Sequence, residues 1–429
     1  MKHLILAAAV ILSLFDVSAK SLPELDAELV KLIEENKQTE IQNFFKTKKV
    51  SIDAKSAALR LAVEKNRVKM ACMLIRDGAN PRIKDENGIT SLMIAAIKNY
   101  PSMAGMLMKM NGDSKIKDNK GDTALIHSIR KNNMEVFNVL YNFKPSESWC
   151  KEVIGEALFI ALKLDRIEMA KILIERLTLI KQIFRNNINE IKEISEIQGK
   201  ALHIALKSGH IKMAKLLIEQ DANLEYSSYQ DETPLMLAST RGYTDIVKLL
   251  IEKGANVNAK RDGNTPLAEA CKKGYIDIAK LLIGKGAEVN DSRYGSQSLI
   301  SACENGNFDI AKLLLEKGAD ANSSRLHGKY KKYESVMVLA NNKHRSEEDC
   351  IKLMKLLLKY GADINARDSK YNQTVLMLAL QEKHSAIAKF LLKNGADIFT
   401  KDGRGHSAIF YLIAYTFEKV INFVKKKIG

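Results

Sequence analysis

The chain has 429 residues, 46% of them hydrophobic and 28% charged, and this balance excludes a disordered or low-complexity chain. It contains 67 Lys and Arg residues against 51 Asp and Glu residues, which gives a formal net charge of +16. A charge of this sign bears on solubility and partners rather than on the fold. With 6 prolines and 6% aromatic residues, the composition favours an all-helical chain.

The first 19 residues differ in composition from the rest. Lys2 is followed by an apolar run at residues 4–15 and by Val17-Ser18-Ala19, which resembles a small-x-small cleavage site. This pattern predicts a secretory signal peptide over residues 1–19, and therefore export to the periplasm or secretion. A membrane anchor is the weaker alternative, because the run is shorter than the ~20 apolar residues that a membrane span needs.

Residues 20–52 have the apolar spacing of two short helices, and residues 53–195 contain weak copies of a unit that is clearest further on. There Thr233-Pro234-Leu235 returns as Thr265-Pro266-Leu267, 32 positions later. Threonine followed by proline starts a helix, and glycine permits the left-handed conformation that ends one. Each unit is therefore predicted to be a helix pair that buries its apolar face only against a neighbouring unit.

The Thr position of this unit marks eleven copies in register. They stand at Ala57, Thr90, Thr123, Glu156, Lys200, Thr233, Thr265, Gln297, Ser335, Thr374 and Ser407. In ten of them a small residue comes three positions after a Leu or Met. These small residues are Ala62, Ala95, Ser128, Ala161, Ala205, Ala238, Ala270, Ala302, Ala340 and Ala379.

These residues resemble the ankyrin-repeat pattern, in which T-P-L-H-x-A-A and G-H are followed by a second helix that ends L-L-x-x-G-A-x-x-N. The resemblance implies an all-α solenoid of helix-turn-helix units joined by β-turn or hairpin loops. It makes residues 20–52 an N-terminal capping pair, 53–195 degenerate repeats, 196–401 near-consensus repeats and 402–429 a C-terminal cap with a basic tail. His203 and His210 match the two histidines of the pattern and are expected to bind backbone rather than to catalyse.

Four departures from the pattern carry expectations of their own. Residues 144–154 are predicted to be a connecting turn, whose Trp149 is either a contact anchor or packed on its neighbour. Residues 176–197 predict a lengthened second helix, and with it a rigid bend or a hinge. Insertions at 323–333 and 341–349 predict surface loops. Gly78 and Gly112 are predicted to end second helices.

Catalytic and metal-binding patterns are missing from the sequence. It has no H-E-x-x-H, no G-x-S-x-G and no metal-type Cys/His cluster, which predicts a protein that is not an enzyme and binds no cofactor. Gly284-Lys285-Gly286 lacks the Ser/Thr of a phosphate loop. The five cysteines include no C-x-x-C, and Cys271 and Cys303 fill the same slot of neighbouring repeats. Packed helices lie ~8–10 Å apart, too far for a disulfide, so free buried thiols are expected.

A binding surface can be assigned by register. Ankyrin proteins usually meet partners on a concave side formed by the turn tips and the ends of the first helices. The residues in these slots predict a basic face with interleaved tyrosines, although a solvated surface is the simpler alternative. The predicted partner-binding residues are Lys207, Tyr229, Arg241, Arg261, Lys272, Lys273, Arg293, Tyr294, Lys331, Tyr333, Lys370 and Tyr371. Of these, Lys272, Lys273, Arg293 and Tyr294 are expected to form the middle of the site.

The function predicted from these features is a non-enzymatic scaffold that binds an acidic protein. The chain is expected to be a monomer that is exported, either to the periplasm or towards a host cell. The Ile-, Lys- and Asn-rich composition looks bacterial. Two alternatives stay open: a periplasmic structural or chaperone-like protein, and a binder of anionic membrane surfaces. Nucleic acid would also suit the excess of cations, but export makes it the less favoured partner.

Overall fold

The computed structural model describes residues 27–143, 147–227, 232–261, 263–290, 296–327, 332–342 and 344–416. The chain divides into two compact units, Met1–Met213 and Ala214–Gly429. The predicted signal peptide and the basic tail lie outside the described residues. Within the described ranges, no helix is both long enough and apolar enough to cross a bilayer.

The first unit is a succession of helix pairs. Its helices are α1 (Ala27–Glu34), α2 (Gln38–Thr47), α3 (Ile52–Glu64), α4 (Val68–Arg76), α5 (Ser91–Lys98), α6 (Pro101–Lys109), α7 (Ala124–Lys131), α8 (Met134–Asn142), α9 (Glu147–Lys163), α10 (Ile167–Ile183) and α11 (Ile188–Ser208). Helix α12 (Ile211–Glu219) follows at the boundary. In the series α1, α3, α5, α7, α9 and α11, each helix packs on the next member of the series. Among the second helices, α4 packs on α6 and α6 packs on α8.

The second unit repeats this arrangement. Its helices are α13 (Pro234–Arg241), α14 (Thr244–Glu252), α15 (Pro266–Lys273), α16 (Ile276–Gly284), α17 (Gln297–Asn305), α18 (Phe308–Glu316), α19 (Val336–Ala340), α20 (Glu347–Lys359), α21 (Val375–Gln381) and α22 (Ser385–Lys393). The first helices α13, α15, α17 and α19 pack in order, and residues 408–416 are again helical. The predicted all-α repeat solenoid is therefore confirmed.

The insertion at 323–333 is a β-hairpin rather than an irregular loop. Strands β1 (Ser324–His327) and β2 (Lys332–Ser335) run antiparallel, with Leu326 opposite Tyr333. The hairpin ends directly at α19, whose N-cap is Ser335. The second insertion joins α19 to α20, and Ser346 caps α20.

The small residue of each repeat lies where first helices meet. All ten predicted small residues, from Ala62 to Ala379, have a relative exposure of 0%. Leucine and methionine three positions earlier are buried as well, with Leu235 and Leu267 each at 1%. A methyl or hydroxymethyl group lets the neighbouring helix approach closely, which explains why this slot excludes large side chains.

Helix starts follow the sequence in the regular repeats and differ elsewhere. The hydroxyls of Thr233 and Thr265 accept an amide hydrogen bond from the third residue of the helix, with proline at its first position. In the next repeat the cap is Ser296, one residue before the predicted Gln297. In the copies marked by Ala57, Glu156 and Lys200 this residue is not a cap, because it lies inside a helix that begins earlier. Those helices are α3, α9 and α11.

The prediction of a turn at 144–154 is wrong for residues 147–154. Residues 144–146 lie outside the described ranges, and α9 begins at Glu147, so Trp149 belongs to a helix. The extra turns of α9 pack on α11, which is likewise lengthened. Here the Nζ atom of Lys151 lies 2.8 Å from Glu190 and 2.5 Å from Glu193, so an ionic contact joins the two helices.

Residues 176–197 form parts of two helices instead of one. Helix α10 is 17 residues long, as a lengthened second helix requires, but it ends at Ile183. Asn187 then starts α11 by accepting a hydrogen bond from the Glu190 amide at 3.3 Å. The predicted lengthened second helix is therefore present, but it ends at a short turn before residue 197. Similarly, Asn111 rather than Gly112 has the left-handed φ of 69° after α6.

The last asparagine of the repeat joins neighbouring turns in the second unit. Asn258 donates to the Gly286 carbonyl at 3.0 Å and accepts from the Glu288 amide at 2.8 Å. Asn290 makes the same pair of bonds with the next turn, to the Gly318 carbonyl at 2.9 Å and from the Asp320 amide at 2.9 Å. One primary amide thus satisfies a donor and an acceptor of the following repeat.

The described cysteines fit the expectation of free thiols. Cys271, Cys303 and Cys350 are buried, Cys72 is half-buried, and none of these four forms a disulfide. Burial raises the pKa of the Cys303 thiol to about 12, which keeps it protonated at neutral pH.

We expect Asn258→Asp to lower the free energy of unfolding by about 1 kcal/mol at neutral pH. The carboxylate keeps an acceptor for the Glu288 amide but has no donor for the Gly286 carbonyl. Urea unfolding followed by circular dichroism measures the change.

The matched control is Asn256→Asp, two residues away. The Asn256 side chain accepts the Asn258 amide at 3.0 Å, and a carboxylate can do the same. Equal stability losses in the two variants would show that the bidentate amide contributes nothing specific.

Candidate partner-binding site

Turn tips in four repeats are built around an aspartate that precedes the helix cap. The Asp118 carboxylate accepts the amides of Lys120 and Asp122, each at 2.8 Å, and Asp402 accepts those of Arg404 and His406, each at 2.9 Å. Asp85 and Asp368 hold their turns in the same way. These bonds fix the backbone of the tip and so set where its exposed side chains lie.

Two predicted residues meet at such tips, together with one that was not predicted. The Nζ atom of Lys370 lies 4.7 Å from the centroid of the Tyr371 ring, and the Arg404 guanidinium carbon lies 4.0 Å from it. The amide of Gly403 donates to the Tyr371 carbonyl at 2.7 Å, which links the two successive tips. We call Lys370, Tyr371 and Arg404 the tip cluster.

The tip cluster combines charge with an aromatic surface. A hydrogen bond and the positive charge of Lys370 lower the pKa of Tyr371, and the Arg404 charge adds to this effect. Cations over a tyrosine face attract its ring quadrupole and keep the ring oriented. A tyrosine in contact with two cations is a suitable contact for an acidic partner.

Three further predicted cations lie at the ends of first helices in the second unit. Arg241 ends α13, and Lys272 and Lys273 end α15, and all three are exposed. Positive side chains at the C-terminal end of a helix interact favourably with the helix dipole, so part of the role of these residues is structural. We call Arg241, Lys272 and Lys273 the helix-end cations.

Two carboxylates lie among the helix-end cations. Glu269 on α15 is only 5% exposed, and half-buried Glu232 accepts the Thr240 hydroxyl at 3.3 Å. Burial raises the pKa of Glu232, and the neighbouring charge of Glu269 raises it further, while the charges of Lys272 and Arg241 oppose this shift. The surface here carries both signs, with the acids deeper than the cations.

The remaining predicted residues are dispersed. Lys207 is exposed at the end of α11 in the first unit. Arg261 donates to the Ser227 hydroxyl at 3.3 Å, and Tyr333 lies in β2. The other four fall outside the described residues: Tyr229, Arg293, Tyr294 and Lys331.

One cluster in the first unit has the composition of a metal site. Asp118, Asp122 and His127 each offer a ligand atom, and these atoms lie within 4.8 Å of one another. His127 Nε2 is 2.9 Å from Asp118, and Arg130 contacts both Asp122 oxygens at 2.6 and 3.0 Å. Because Arg130 already neutralises Asp122, a cation would have to displace it, and the cluster is better explained as a support for the turn.

The position of the repeat that His210 occupies, which we call the histidine slot, contacts the backbone of a neighbouring repeat. His210 Nε2 lies 2.8 Å from the Leu162 carbonyl, as expected for a histidine that binds backbone. Asn133 and Asn307 donate to equivalent carbonyls at 2.8 and 2.7 Å. The slot therefore holds neighbouring first helices together.

Comparison with known proteins agrees with this geometry. A family model described as ankyrin repeats (3 copies) matches the chain at residues 59–148, 92–182, 175–261, 257–325 and 329–423. A search of curated proteins finds no match.

The Asp118 contacts predict a pH-dependent contribution to stability. Burial alone would raise the pKa of Asp118, but the amides of Asp122 and Lys120 and the His127 side chain more than offset it, so the pKa is lowered. An aspartate in an unfolded chain titrates near pH ~3.9. The stabilisation of the folded state by the Asp118 carboxylate is therefore complete above that pH. It is lost as the pH falls through the lower pKa that Asp118 has in the folded state.

We expect Asp118→Asn to lower the free energy of unfolding by about 1–3 kcal/mol at neutral pH, and by less in acid. Urea unfolding of the wild-type protein and the variant, from neutral to acid pH, measures the difference between their free energies of unfolding. The contributions of the other carboxylates are the same in both proteins and cancel in this difference. A difference that stays constant over this range would contradict the assigned role of the carboxylate.

Proposed function

Because the chain belongs to the ankyrin-repeat family, whose repeats are generally protein-protein interaction modules, we propose that it is a non-enzymatic scaffold for an acidic protein. The observation that carries this proposal is the tip cluster. Both Lys370 and Arg404 lie at distances from the Tyr371 ring typical of cation-π contacts, and these contacts favour one orientation of the ring before a partner arrives. Preorganised aromatic and arginine side chains dominate binding energy at protein interfaces.

The helix-end cations are a second set of exposed positive side chains in the second unit. Arg241, Lys272 and Lys273 are exposed, whereas the acids beside them are half-buried or buried. An approaching acidic segment therefore meets the cations first, and Glu232 and Glu269 would reject a segment that placed its own acids too deeply. Exposed cations above deeper acids give specificity for an acidic segment as well as attraction to it.

We further propose that the binding face is the concave side of the repeats, that the chain acts as a monomer, and that it is exported and directed at a host cell or the periplasm. Export is supported by the charged start, apolar run and small-x-small motif within residues 1–19. Recovery outside the cytoplasm of a chain whose first residue is Lys20 tests it, and a chain that retains Met1 there would contradict cleavage.

The binding proposal is tested with the chain as bait in envelope and host-cell extracts, followed by affinity measurement with the purified partner. Tyr371→Ala combined with Arg404→Glu should weaken binding about tenfold or more, which corresponds to roughly 1.4 kcal/mol. Lys272→Glu combined with Lys273→Glu should slow association and reduce its dependence on salt.

The matched control is Lys280→Glu combined with Lys285→Glu. Both lysines are exposed, and they lie on or just after α16, the second helix of the repeat that contains Lys272. This control variant changes the net charge by the same amount as Lys272→Glu combined with Lys273→Glu. If the control weakens binding as much as the test variants, the attraction is a general effect of net charge and the proposed site is wrong.

A further inference from the structure

The turn between α10 and α11 exposes apolar side chains that no described part of the chain covers. Relative exposure is 50% for Leu179, 67% for Ile183 and 81% for Ile188. Leu173 and Leu177 on the same helix are fully buried, so α10 has one apolar face against the core and a second one in solvent. An amphipathic helix of a soluble protein normally has a polar outer face.

This apolar end extends beyond the regular repeat. By register with α14, which ends at Glu252, the second helix of this repeat should end at Glu175. Helix α10 continues to Ile183, two further turns, which extends it by about 12 Å. We call residues 176–189 the helical spur.

The charges of the spur have one sign. Residues 176–189 contain Arg176, Lys181 and Arg185 and no acid. The nearest acids along the chain in α11, Glu190 and Glu193, contact Lys151. Exposed Arg185 lies in the turn itself, directly between Ile183 and Ile188.

We propose that the helical spur docks on an anionic lipid surface, with Leu179, Ile183 and Ile188 at the level of the acyl chains and Arg185 at the phosphates. The exposed apolar side chains lie at the end of an extended helix, and a fluid apolar phase can accept them without a preformed cavity. In an anionic membrane interface, negatively charged headgroups lie next to the acyl chains, and cations beside apolar side chains can contact both. This docking is separate from the proposed protein-binding function, which uses other residues.

The test is sedimentation of the full chain with phosphatidylcholine vesicles that contain or lack phosphatidylglycerol, at low and high salt. We expect binding to the anionic vesicles that weakens with salt. Ile183→Gln combined with Ile188→Gln should reduce the partition coefficient about tenfold or more, because two buried apolar side chains are lost. Arg185→Gln should reduce both the binding and its salt dependence.

The matched control is Ile52→Gln, since Ile52 is 61% exposed at the start of α3 in the same unit. It should leave vesicle binding unchanged. Both spur isoleucines are mostly exposed, so circular dichroism and the thermal midpoint should stay at wild-type values. Retained binding of the acidic partner by the spur variant confirms that the two surfaces act separately.

Three outcomes would overturn the proposal. The first is equal sedimentation with and without phosphatidylglycerol, and the second is an equal loss in the Ile52 control. The third is a concentration-dependent dimer, seen by light scattering, that disappears in the Ile183 and Ile188 variant. That result would assign the spur to self-association between two copies of the chain.

Discussion

Carbonyl groups in the last turn of a helix have no partner within that helix, and the packing of these repeats depends on how the next repeat supplies one. His210, Asn133, Asn307 and Arg345 all donate to such carbonyls from the same slot of their repeats. Their side chains differ in size and charge, but each presents an N–H group at the same place. In these four repeats different side chains therefore supply the same donor, so the sequence of the slot can diverge while the carbonyl keeps its partner.

Much of the fold could be predicted because its determinants are local. A threonine cap, a small residue five positions later and a glycine after the helix each act within one repeat, and Thr233, Ala238 and Gly242 all do what the pattern predicts. The lengthening of α10 could be predicted from helical spacing, but that of α9 and the break before α11 could not. Whether residues 147–154 belong to α9 depends on α11 being available to pack against, and α11 starts where a single asparagine, Asn187, competes with helical continuation.

The candidate site shows the same division between local and long-range determinants. Register alone predicted that Lys272, Lys273 and Lys370 would be exposed. It did not predict that Arg404 would lie over Tyr371, because that contact joins two tips 33 positions apart and depends on side-chain conformation. Nor did it predict that Glu269 would be buried beside Glu232, which changes a basic surface into one with buried acids.

The lengthened layer of α9, α10 and α11 is not arranged for stability alone. Gln198 on α11 is fully buried with both amide atoms lacking a hydrogen-bond partner, which costs free energy that an apolar side chain would not. The same layer leaves three large apolar side chains in solvent at the spur. Other described repeats contain exposed apolar side chains as well, such as Phe399 at 73%, but in the layer of α9, α10 and α11 a buried amide without a partner and an exposed apolar end occur together. Such departures from the rules of folding are expected where a surface serves binding rather than stability.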